Sequence, residues 1–134
     1  MEIVFSYVLF GNNNCYFLPL LQNIDFVEKK LGSKGKVYVY TIGVPNSWLE
    51  ILSTYNNVIV KIQDELVHLP GSLKMMTRYQ AVNEINDINR CYVFRDADSL
   101  LTDEEIKVIK HWINSDFDFS VIRDHPDHVM PIMG

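Results

Sequence analysis

The densest chemistry in the chain lies in one short stretch, Cys91-Tyr92-Val93-Phe94-Arg95-Asp96-Ala97-Asp98-Ser99. An apolar run delivers two carboxylates, one residue apart, at its polar end. Carboxylate oxygens are hard donors suited to Mg²⁺ or Mn²⁺, and such ions are often held by one or two carboxylates together with substrate phosphates. A cation there would neutralise part of a diphosphate and help it leave. The same residues also read as a plain turn before a capped helix. Thr102-Asp103-Glu104-Glu105 is a capping box, and its acids suit the positive helix end. An EF-hand loop is excluded: counted from Asp96, the sixth position is Leu101 rather than Gly and the twelfth is Lys107 rather than Glu.

Two further groups carry reactive residue types. Arg123-Asp124-His125-Pro126-Asp127-His128 gathers aspartates and histidines that suit a metal ligand or a base, with a polar turn as the alternative. Pro126 holds His125 extended. Pro70-Gly71-Ser72-Leu73-Lys74-Met75-Met76-Thr77-Arg78-Tyr79 reads as a helix start whose N–H groups, with Arg78, suit phosphate oxygens. A surface salt bridge is the plainer role for Arg78, and the methionines suit a core. His68 and His111 read as surface or packing residues.

The elements that must position these groups alternate along the chain. Strands are predicted at Ile3–Phe10, Lys36–Ile42, Val58–Ile62, Cys91–Phe94 and Phe117–Ile122, each a short apolar run bounded by turn residues. Helices are predicted at Tyr16–Leu31, Pro45–Thr54, Lys74–Ile88 and from Leu101 or Thr102 to Asn114, from apolar residues recurring every three or four positions. Strands interleaved with helices imply an α/β fold with a mostly parallel sheet and flanking helices. In a parallel sheet, Arg95-Asp96 and Arg123-Asp124 both emerge at the carboxyl edge, where open α/β sheets bind ligands.

The chain has 134 residues, 48% hydrophobic and 22% charged, the size and composition of a single globular domain. A net charge of −5 disfavours a general nucleic-acid binder, which needs a basic face for phosphates. Cys15 and Cys91 lie in apolar segments and read as reduced, buried thiols rather than a disulfide framework. The start, Met1-Glu2-Ile3-Val4-Phe5, lacks the basic residues of a signal peptide, and no apolar run is long enough to span a membrane. The expected location is the cytoplasm.

Taken in order, four segments resemble the GT-A-type glycosyltransferases, and among them a glycosyltransferase-like group of microbes and large viruses. They are Phe5-Ser6-Tyr7-Val8-Leu9-Phe10-Gly11-Asn12, Pro70-Gly71 with Met75-Met76-Thr77-Arg78-Tyr79, Val93 to Leu101, and Phe119 to Gly134. The Arg-Asp-Ala-Asp-Ser and Arg-Asp-His-Pro pieces are the most specific. The resemblance implies a Rossmann-like domain binding a UDP- or GDP-sugar and moving a hexose to a glycan or protein acceptor. It implies Mn²⁺ or Mg²⁺ at Asp96 and Asp98, with Asp98 the direct ligand and Asp96 facing the ribose or the metal's water shell. Ser6, Tyr7 and Asn12 would line the nucleoside pocket, and Arg78 would approach the donor phosphates or sugar. No nucleophile or base is assigned; Asp124, His125 and His128 are the nearby candidates. Thr77 departs from the family pattern, which has an aromatic there. Such enzymes continue beyond the point matching Gly134, so the resemblance implies that residues 1–134 match the donor-binding half, with the acceptor-side portion expected to be lacking.

Two other readings compete. One is a non-catalytic nucleotide-sugar-binding remnant, or a subunit completed by a partner, with Met130, Pro131, Ile132 and Met133 as the contact for a homo-oligomer. The other is a haloacid dehalogenase-type phosphatase, with Asp96 as nucleophile and Asp98 as acid/base. The late position of the motif, Arg95 in the lead-in and Ser99-Leu100 after it oppose that reading.

Overall fold

The computed structural model describes residues 1–84 and 89–120. The chain divides into two compact units, Met1–Leu100 and Leu101–Gly134. The first is α/β. Strands β1 (Glu2–Phe10), β2 (Gly35–Ile42), β3 (Val58–Ile62) and β4 (Arg90–Phe94) form one all-parallel sheet in the order β3-β2-β1-β4. Helices α1 (Asn14–Leu31) and α2 (Asn46–Ser53) make the first two crossovers. The third carries α3 (Gly71–Met75), a 3₁₀ segment (Met76–Gln80) and α4 (Ala81–Glu84).

Chain direction decides which face each crossover covers. The first two step from β1 to β2 to β3, the third returns past β1 to β4, and right-handed crossovers in opposite directions cover opposite faces. On one face, Val4, Val8, Tyr38, Tyr40 and Ile42 pack with Ala81 of α4, and Phe10, Leu66, Met75 and Tyr92 close the cluster. Strand alternation puts Ile3, Phe5, Tyr7 and Leu9 on the other face, with α1 and α2. There Phe17 of α1 and Trp48 of α2 stack with centroids 4.3 Å apart. Gly35 shares that face, since it is the register partner of Ile3. A Cβ at Gly35 would lie 2.6 Å from Val27 Cγ1, so the missing side chain lets α1 close on the sheet. At the carboxyl edge, Gly11 (φ 76°) and Gly43 (φ 63°) turn the chain off β1 and β2 through conformations that glycine adopts without steric cost.

The third crossover differs from the single predicted helix over 74–88. Helix begins at Gly71, tightens to 3₁₀ at Met76 and resumes at Ala81; residues 85–88 lie outside those described. Side chains account for the break. Thr77 Oγ1 donates to the Lys74 carbonyl, and Ser6 Oγ donates to the Arg78 carbonyl, holding this segment against β1. Further along, Gln63 Nε2 donates to Gln80 Oε1, and Lys61 pairs with Glu84.

In the second unit, α5 (Asp103–Ile113) is capped by Thr102, whose Oγ1 accepts from the Glu105 N–H, as the sequence implies. The predicted fifth strand is not formed over 117–120, where Trp112 Nε1 instead donates to the Phe117 carbonyl; residues 121–122 lie outside those described. The burial expected of both cysteines holds for Cys91 and not for Cys15. Cys15 sits in the first turn of α1, where residues 14–16 are all exposed.

Candidate functional site at the carboxyl edge

Strand order reverses at β1: the chain builds outward through β2 and β3, then places β4 on the other side. The carboxyl ends of β1 and β4 therefore flank a topological switch point, where open parallel sheets leave a crevice for ligands. The ladder continues one step past β4, with the Arg95 N–H donating to the Ser6 carbonyl. A turn follows, closed by the Ser99 N–H on the Asp96 carbonyl. Asp favours the first position of such turns. Ala97 is buried while Asp96 and Asp98 on either side are exposed, so the turn presents both carboxylates outward.

Arg78 meets this turn from the third crossover. Its Nη1 donates to Asp96 Oδ1 at 2.6 Å. The arginine is only 4% exposed, and the Asp96 side chain is 48% exposed. Beside it, Tyr79 packs on Phe94, the last residue of β4, with ring centroids 4.6 Å apart. Ser6 completes the arrangement: its Oγ donates to the Arg78 carbonyl at 2.6 Å, and it has no exposure.

Two further residues hold the turn from behind: Arg95, which the sequence placed at this edge beside Asp96, and Asn23, which it did not single out. Asn23 of α1 is buried, and its Nδ2 donates to the Ser99 carbonyl at 2.9 Å. Arg95 Nη2 donates to the Ser99 carbonyl, to Ser99 Oγ and to the Leu100 carbonyl. For Asn23 the prior signal was a polar residue within the apolar periodicity of α1, beside Ile24.

The predicted residues thus divide. Asp96, Asp98, Arg78 and Ser6 come together at one edge. Arg78 is buried under Asp96 rather than lying on the surface or reaching outward, because Ser6 draws its backbone onto β1. Ser6 itself reaches no solvent and serves this segment. Tyr7 is fully buried on the opposite face, the consequence of strand alternation, and is not brought to the edge. Asn12 is exposed in the bend after β1, at the same end of the sheet. The α1 amino terminus follows, capped by Asn13, with no acidic residue in its first turn. Asp124, His125, His128 and the Met130–Met133 contact lie outside the described residues.

Two exposed carboxylates suit Mg²⁺ or Mn²⁺ held jointly with phosphate oxygens and water, rather than a cage built by protein alone. The described residues contain no group of three or more His, Cys, Asp or Glu able to hold a metal. Asp98 has no hydrogen-bond or ion-pair partner among the described residues. Asp96 keeps Oδ2 beyond its bond to Arg78. The described helices include none long and apolar enough to cross a membrane. No known family model matches the chain, and comparison with curated proteins and with solved structures finds no match.

Proposed function

We propose that this chain binds a nucleotide-sugar with a divalent cation at the carboxyl edge between β1 and β4, as the donor-binding part of a GT-A-like glycosyltransferase. One observation carries the reading: the Asp-x-Asp turn lies at the switch point of a parallel sheet, with Asp98 unpartnered among the described residues and Asp96 anchored on a buried arginine. The α1 amino terminus at the same end of the sheet adds N–H groups suited to phosphate oxygens. A bound cation would offset diphosphate charge and favour departure of the nucleotide. The protein's part is to hold Asp96 and Asp98 outward on a turn that Asn23, Arg95 and Arg78 keep in place. Hexose transfer to an acceptor is the reaction that the family resemblance implies for such a site.

The phosphatase reading draws less support. Its nucleophile would be Asp96, whose Oδ1 is already bonded to the buried Arg78 guanidinium. Thermal unfolding with UDP-hexose or GDP-hexose, with and without Mn²⁺, tests the proposal. Ligand at about a hundred times its Kd stabilises by about 2.7 kcal/mol, so one nucleotide with Mn²⁺ should raise Tm by several degrees. An unchanged Tm in every combination would sink the proposal.

A further inference from the structure

Arg78 is more buried than a residue that grips substrate should be. It is 4% exposed, its Nε is buried without a hydrogen-bond partner among the described residues, and its acidic contact is Asp96. Its carbonyl is fixed by Ser6, so the guanidinium sits on a segment tied to the central strand. The exposed end of this chain of contacts is Asp96, not Arg78. Carboxylates that bind metals are themselves oriented by hydrogen bonds from behind, and loss of such a partner weakens metal affinity by about 10–100-fold.

We propose that Arg78 is a positioning residue: it holds Asp96 by Oδ1 and leaves Oδ2 for the cation or its water shell, and it does not itself touch the nucleotide. This rests on the proposed function, and it assigns Arg78 a role different from the donor contact that the family resemblance implies. The order of contacts is Ser6 to Arg78 to Asp96 to cation, with Asp98 joining independently from the same turn.

The test uses the full chain, Mn²⁺ and UDP. Carbon-13 NMR of the aspartate carboxylates reads Mn²⁺ proximity by broadening, and calorimetry reads the UDP affinity with and without Mn²⁺. In the wild type, Mn²⁺ with UDP should broaden both Asp96 and Asp98. In Arg78→Gln, broadening of Asp96 should fall while that of Asp98 persists. The Mn²⁺-dependent gain in UDP affinity should drop about 10-fold or more, with metal-free UDP binding unchanged. Arg78→Gln added to Asp96→Asn should cost no further gain. Arg78→Lys, which keeps the charge on a stem of similar length, serves if the Gln variant does not fold; it should retain part of the Asp96 broadening. Equal loss of UDP affinity with and without Mn²⁺ would place Arg78 on the nucleotide and overturn the inference, as would additive losses with Asp96→Asn. Failure of the underlying reading looks different: Mn²⁺ and UDP would then leave both carboxylates sharp in the wild type.

Discussion

Replacing Asp96 by Asn should destabilise the fold, and replacing Asp98 by Asn should not, although the two stand one residue apart. Arg78 is 4% exposed, and Asp96 is its acidic partner among the described residues. Removing one side of a buried ion pair leaves the other charge uncompensated, at a cost of about 3–5 kcal/mol. Two features lower that figure here. The Asp96 side chain is 48% exposed, so water screens its half of the pair. Asn also keeps an acceptor oxygen for Nη1. About 2 kcal/mol remains, roughly a 30-fold fall in the folding constant. Asp98 is exposed and has no partner among the described residues, so its substitution should stay within about 0.5 kcal/mol. Urea unfolding followed by circular dichroism separates the two. With a slope of about 1–3 kcal/mol per molar, Asp96→Asn should lower the midpoint by about 1 M. Equal midpoints for the two variants would refute the dependence of Arg78 on Asp96.

Three other perturbations test neighbouring parts of the account. Burial pushes the Cys91 thiol up to about 11, from an ordinary value of 9.0, whereas Cys15 is exposed. Ellman's reagent should therefore titrate one thiol in the native protein and two in urea. Above pH 9 the unfolded chain releases the Cys91 proton before the folded one does, so this residue's contribution lowers stability as pH rises from about 9 to about 11. A pH series of urea midpoints that stays flat or rises over that window would contradict the assignment. Gly35→Ala should cost about 1–3 kcal/mol by overpacking, since the added Cβ meets Val27 and Leu31; a neutral change would mean that α1 shifts freely. Asn23→Ala leaves the Ser99 carbonyl with Arg95 as its remaining donor and should cost about 0.5–1.5 kcal/mol, with amide exchange rising across residues 96–100; uniform protection would count against Asn23 as a tether of the turn.

How much of this was legible in the sequence depends on how local its cause is. β3 runs Val58–Ile62 as read from composition, and Thr102 caps α5, because β-branched runs and capping residues act within a few positions. The Asp-x-Asp turn was legible for the same reason. The break in the third crossover was not, since it depends on Ser6, far away in sequence, claiming the Arg78 carbonyl. Arg78's burial follows from that contact and from Asp96, and neither is encoded near position 78. Asn23 was invisible as a tether because its partner, Ser99, lies beyond three intervening strands and crossovers. Tyr7 illustrates the converse: its neighbours Ser6 and Val8 share the other face, so the alternation of one strand already separated it from Ser6.

The most direct measurement is calorimetric titration of UDP, then GDP, with and without Mn²⁺, into the wild type and Asp98→Asn. The account predicts that one nucleotide binds the wild type in a Mn²⁺-dependent manner and that this dependence vanishes in Asp98→Asn. A folded wild type that binds neither nucleotide in the presence of Mn²⁺, or binding that Asp98→Asn leaves intact, would contradict it.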